Sequence, residues 1–365
     1  FATRPKGPRV DITTLAATLN QYISSGDLVL PGDALGSDPI QRQFDAFLDD
    51  GELRIRQVTA PTVSADNVSV TGIADNLIVD GAQVHARFNL VGDEAALLLS
   101  IAPSADWTLV KSFPPLGDTF VSELPMRNPT LTLASHKLTD AAGDDVDPGL
   151  SLAATLPMTG PAADVAWLVG DAGELKLRGV IERKDEGTDL AFYARYDKPV
   201  PLGFFDLNGV TFGVLAAIAK EDNAVAAVFD FATAIDFGGR TPLRVPLRGS
   251  YFVEAKQLQL EADLNQALAA GLYEFDALVD GADLGSVLPD TLAVADQVTL
   301  SWLVLDVDVA AKRLNSVRLA LSSTQPWTLI DDVLAVEALS LAFRLDDPQG
   351  ARELSATLMG VVGIG

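Results

Sequence analysis

Apolar and polar residues alternate with a period of two along most of this chain. Leu53 and Ile55 alternate with Arg54 and Arg56, and Val84, Ala86 and Phe88 alternate with His85 and Arg87. Leu175, Leu177 and Gly179 alternate with Lys176 and Arg178, and Leu258 and Leu260 with Gln257 and Gln259. Successive side chains of a strand point to opposite faces, so the pattern predicts strands with one face on a core and one in water. Asp80-Gly81, Gly92-Asp93, Gly143-Asp144, Glu186-Gly187 and Gly238-Gly239 separate the runs and predict hairpin connections. Between Glu174 and Phe237 the rhythm predicts a meander, with strands near Leu175–Ile181, Leu190–Tyr196, Val210–Ala219 and Val225–Phe237. Pro199, Pro201, Pro242 and Pro246 fall near strand ends, where a missing N–H costs little.

Near the N-terminus the period changes. Ile12, Leu15, Leu19 and Tyr22 form one helical stripe, with Asp11 as N-cap and Gly26 as stop, which predicts a short helix over Asp11 to Ser25. Part of this region returns later in the chain. Leu19-Asn20-Gln21 and Gly32-Asp33-Ala34-Leu35-Gly36-Ser37 match Leu264-Asn265-Gln266 and Gly281-Ala282-Asp283-Leu284-Gly285-Ser286, predicting a second helix over Asp263 to Ala270. Leu116-Gly117-Asp118-Thr119 is echoed by Leu288-Pro289-Asp290-Thr291, and Trp107-Thr108-Leu109-Val110 by Trp327-Thr328-Leu329-Ile330. Recurring units predict an array whose core is buried by stacking neighbours. The expected fold is therefore mainly β: an antiparallel repeat, an elongated β-solenoid or a sandwich-like array with a few short helices. Its units would be residues 1–254, carrying the N-terminal helix, and a shortened second copy, 255–365.

The C-terminal part has a distinct cadence. Val317, Leu319 and Leu321 predict one strand, Pro326-Trp327-Thr328-Leu329-Ile330 a corner, and Leu339, Leu341 and Phe343 a second strand. After the turn at Asp346-Asp347-Pro348, Leu354, Ala356 and Leu358 lead into Gly360-Val361-Val362-Gly363-Ile364-Gly365. This rhythm, over Val298 to Gly365 with fainter echoes over Ala95 to Leu133, resembles the units of very large β-repeat proteins of unknown function from bacteria and fungi. The resemblance implies architecture and brings no catalytic motif with it.

Composition narrows the partners. Acidic residues outnumber basic ones 50 to 26, a net charge of −24 that repels phosphate backbones and anionic membranes, so nucleic acid is not an expected partner. No apolar run is long enough for a membrane-spanning helix. The chain has no cysteine, which removes disulfides, thiolate nucleophiles and Cys-ligated zinc. The beginning at Phe1 and the end at Gly365 read as those of a processed or excised part of a longer protein.

Candidate chemistry is sparse. His85 lies in an alternating strand and His136 at a strand end, neither with partners at zinc-ligand spacing, so both read as solvated histidines. Asp140, Asp144, Asp145 and Asp147, closed by Pro148-Gly149, form the best candidate calcium loop, although the spacing misses the bidentate acid of an EF-hand and an acidic solvated turn fits better. Nucleophile-elbow and phosphate-loop signatures are absent, and Ser37 and Ser286 read as turn residues. Glu182, Asp230 and Asp236 are strand acids that would have to face one cleft to act as paired carboxylates on a carbohydrate. Trp107 and Trp327 recur at matching places and read as structural anchors; Trp167 and Trp302 either anchor a core or stack on sugars.

No catalytic, cofactor or firm metal residue emerges. The leading expectation is a non-catalytic structural or interaction module of a larger secreted or surface assembly. Its partners would be β-structured neighbouring modules or filament subunits. Two alternatives remain: a carrier holding an apolar ligand or lipid in a β groove, and a carbohydrate-active enzyme. Leu354 to Gly365 alternates like a strand and ends without a charged or proline gatekeeper, which predicts a sheet edge with a β-structured partner.

Overall fold

The computed structural model describes residues 11–75, 77–237, 243–254, 256–264, 268–279, 284, 298–323, 327–330 and 334–364. It is mainly β and antiparallel, as the alternation predicts. Two compact units divide the chain, interleaved in sequence rather than separated at residue 254: unit 1 is Phe1–Gly160, Glu174–Tyr193 and Val214–Ala227, and unit 2 is Pro161–Gly173, Ala194–Gly213 and Val228–Gly365.

Unit 1 opens with helix α1 (Ile12–Gln21). The Asp11 carboxylate caps it by accepting from the Thr14 N–H at 2.6 Å, and Leu15, Ala16 and Leu19 are buried. A second helix, α2 (Asp38–Phe47), follows Ser37, with Pro39 early in its first turn and Ile40, Phe44 and Phe47 buried on one stripe. The strands are β1 (Asp27–Pro31), β2 (Glu52–Arg56), β3 (Asn67–Ala74), β4 (Gln83–Val91), β5 (Glu94–Ala102), β6 (Arg127–Ala134), β7 (Gly149–Pro157), β8 (Glu174–Lys184) and β9 (Gly187–Tyr196). Each pairs antiparallel with the next. The register lines up Val70, Ala86, Leu99, Leu133, Leu150, Ile181 and Leu190 in one cross-strand row, all buried. Helix α1 packs near β3, and α2 near β2 and β5. Together with buried Trp107, Leu116 and Val121 from the short turns between β5 and β6, they add side chains to this unit's core. On the other face Thr71, His85, Ser100, Thr132 and Ser151 form a hydroxyl-rich row.

Unit 2 contains β10 (Val210–Ala219) in part, then most of β11 (Val225–Phe237), β12 (Leu243–Phe252), β13 (Gln257–Ala262), β14 (Val298–Asp308), β15 (Arg313–Ser323), β16 (Leu334–Asp346) and β17 (Glu353–Ile364). From β11 onward each strand again pairs with its successor. Phe231, Gly249, Leu260, Leu305, Val317, Leu345 and Leu354 form an inner row. On the opposite face Asp230, Ser250, Gln259, Asp306, Ser316, Asp346 and Glu353 form a polar row. One step along the strands, Arg248, Arg318 and Arg344 stand beside it. They pair with Asp263, Asp306 and Asp346 at 3.0, 3.0 and 2.8 Å.

Several expectations change. Within the span expected to be the second helix, Leu268–Ala270 is a strand paired with Val298, Thr299 and Leu300, and a 3-10 turn follows at Leu272–Val279. A three-residue apolar run with an open strand edge beside it gains more from pairing than from an isolated helical turn. Positions 265–267, the glycine turn at 238–239, Pro242, and the repeat anchors at 281–286 and 288–291 apart from Leu284 lie outside the described residues. Trp107-Thr108-Leu109-Val110 leads into a helical turn (Leu109–Ser112), whereas Trp327–Ile330 is a strand paired with β16, so these echoes are not structural equivalents. Four residues do not fix a conformation when their surroundings differ.

Candidate interaction edge

β17 is 12 residues long and pairs with β16 from Asp346–Glu353 to Leu334–Ile364, with one register shift between Val336 and Ala338. Among the described residues no other strand pairs with it. Inward-facing Leu354, Ala356 and Leu358 lie opposite buried Leu345, Phe343 and Leu341. Leu358 is nonetheless 41% exposed, so the core face runs uncovered to the rim. Met359, Val361 and Val362 are 56%, 61% and 55% exposed. Glu353 is the strand's only charged residue, and no proline interrupts it. Natural edges are blunted by lysine, proline, bulges or short length, and β17 uses little of this. The edge at the start of unit 1 differs: β1 is flanked by a strand of only two residues, Ile23–Ser24, and α1 leads into it.

The calcium candidates are occupied otherwise. Leu138–Thr139 and Asp145–Val146 form a small hairpin whose Leu138 and Val146 pack on Leu98 and Ala134, covering part of the hydroxyl-bearing face. Asp140 closes the turn by accepting from the N–H groups of Ala142 and Asp144 at 2.8 and 2.9 Å. Asp144 pairs with Arg178, whose hydrogen bond lowers its carboxyl below the usual range, and Asp145 lies 3.4 Å from Lys137. Among the described residues no three acids or histidines, Asp147 included, gather into a metal cluster.

His136 sits in a linked set that sequence spacing did not reveal. Its Nδ1 lies 2.9 Å from Ser135 Oγ, which accepts from the Leu97 N–H, and its Nε2 lies 3.7 Å from Glu94. The other Glu94 oxygen accepts from Ser37 Oγ at 3.1 Å. Ser37, read as a turn residue, thus ties the start of α2 to β5. Both serines are buried, so their hydroxyls are satisfied structural groups rather than exposed nucleophiles. His85 stays exposed on the hydroxyl-bearing face.

The candidate carboxylates do not converge within unit 2. Asp230 and Asp236 lie six residues apart on β11, about 20 Å along a strand, against the 5–10 Å that paired catalysis uses. Asp230 is half-buried, and loss of water raises its carboxyl despite Arg248 nearby. Asp236 pairs with Arg244 and accepts from Asn208. Glu182, in unit 1, pairs with Lys184 on the surface. Trp107 is buried, with its ring N–H donated to Ser112 Oγ at 3.0 Å, and Trp167 is buried as well. Trp302 is exposed. No helix among the described residues is long and apolar enough to cross a membrane.

No known protein family, curated protein or solved structure matches this chain.

Proposed function

We propose that this chain is a non-catalytic interaction module that extends its sheet through β17 onto the edge of a β-structured partner, a neighbouring module or subunit of a larger secreted or surface assembly. The observation that carries the reading is an edge of 12 residues that has, among the described residues, a partner strand on one side only and leaves Leu358, Met359, Val361 and Val362 exposed. Strand addition would satisfy its free N–H and C=O groups and take the exposed apolar side chains out of water. The C-terminal rhythm that resembles units of very large β-repeat proteins is compatible with this reading. Hydrogen exchange tests it. Amides of Ser355 to Val362 should exchange fast in the isolated chain and gain protection in the assembly recovered from its native source. Equal protection in both states overturns the proposal.

A further inference from the structure

One tryptophan is carried out of the core by an irregularity in its own strand. Val298 and Leu300 of β14 are buried, and strict alternation would send residue 302 to that same face. Instead the register steps from Leu300–Leu321 to Trp302–Ala320, leaving Ser301 as an extra residue. The resulting bulge turns Trp302 outward and returns Leu303, Leu305 and Val307 to the core. Trp302 is 41% exposed, against 4% for Trp107 and 8% for Trp167. Its cross-strand neighbours on β15 and β16 are Ala320 and then Ala342, whose small side chains keep the surface beside the ring low.

The ring is also held in place. The Arg318 guanidinium lies 5.3 Å from the ring centre and donates to Asp306 at 3.0 Å, and Asp306 accepts from Gln259 and Ser316 as well. A second bulge marks the far end of this strip. Pairing steps from Asp306–Ser316 to Val307–Leu314, so Asn315 is the extra residue. Asn315 lines an open cleft of about 490 Å³ with Lys256, Gln257, Gln259, Asp306 and Asp308. Asp306 lies four positions after Trp302, about 13 Å along the strand, and between them on the same face Val304, opposite Arg318, is buried.

The geometry points to a binding strip for a neutral oligosaccharide on the outer face of β14 and β15. Trp302 would stack on the C–H face of one sugar ring. The carboxylates and amides of the cleft would accept from and donate to the hydroxyls of the following rings. The ligand class follows from the chemistry: a polar open cleft does not suit a lipid, and a chain of net charge −24 repels polyanions. The strip lies apart from β17 and does not rest on the proposed strand pairing.

The test titrates the full chain with soluble hexasaccharides of β-1,4-linked glucose, α-1,4-linked glucose and β-1,4-linked N-acetylglucosamine, following tryptophan emission and calorimetric heat. At least one should bind and shift the emission. Trp302→Ala should weaken binding about tenfold while Trp302→Phe keeps part of it, since a ring face remains. Asn315→Ala should weaken binding without changing the emission of the free protein. Val361→Lys, which alters the edge strand, should leave sugar binding intact, so this strip and the strand pairing fail or stand separately. Absence of binding by all three sugars at millimolar concentration, or unchanged affinity in a folded Trp302→Ala variant, overturns the inference.

Discussion

Tyr251 concentrates several forces on one oxygen. Its ring is buried and stacks on Phe229, with centroids 6.2 Å apart, and its hydroxyl donates to Asp164 at 3.0 Å. Burial, and then the bond to Asp164, raises the phenol well above its ordinary 10.0. The protonated phenol is the form the fold stabilises. That contribution is complete below the unfolded value near 10 and is lost as pH rises toward the folded one. The urea midpoint should therefore fall above pH 10, and Tyr251→Phe should remove that fall. At neutral pH the same variant should cost about 1 kcal/mol, because Asp164 is partly exposed and regains water. Gly249 illustrates the opposite constraint, since an added Cβ would lie 2.0 Å from the Gln259 carbonyl oxygen on the adjacent strand. Gly249→Ala should cost about 1–3 kcal/mol or more by urea denaturation, because that backbone oxygen cannot move without disturbing the ladder.

At the scale of elements, what was legible in the sequence was whatever a single face decides. The meander from β8 to β11 follows the predicted strands because each buries one side, and α1 follows its stripe and its Asp11 cap. Helix α2 carried the same kind of signal, with Ile40, Phe44 and Phe47 after Ser37-Asp38-Pro39, but only Ser37 at its start was read, as a turn residue. The bulges at Ser301 and Asn315 were not legible, because a bulge exists only relative to the partner strand. The acidic loop was read without its cations, which come from Lys137 and from Arg178 on β8. The C-terminal edge was half-legible: its single charge and its lack of proline are written in the chain, whereas the lack of a second partner strand among the described residues is not. The hairpin over Leu98 and Ala134 gives an element-scale prediction. Asp140→Ala should speed exchange at residues 138–146 and leave the global unfolding midpoint nearly unchanged, since only the turn amides lose their acceptor. A midpoint drop equal to that of a core substitution would show that the hairpin is part of the cooperative unit.

For the whole molecule, a net charge of −24 opposes compactness through self-repulsion. Raising NaCl from about 0.01 to 0.15 M shortens the screening length from about 30 to 8 Å, so the melting temperature should rise across that interval. A falling value would mean that the Arg–Asp pairs on the sheet surface outweigh the repulsion. The neighbour-to-neighbour order of the strands bears on how the chain is made. From β1 to β9 each strand pairs with the one before it, so during synthesis every emerging strand finds its template already in place. Unit 1 nevertheless needs Glu174–Tyr193 and Val214–Ala227, so it cannot be completed until Ala227 has left the ribosome. A nascent chain stalled with residue 160 just outside the exit should stay open to protease, and one stalled beyond 227 should resist it.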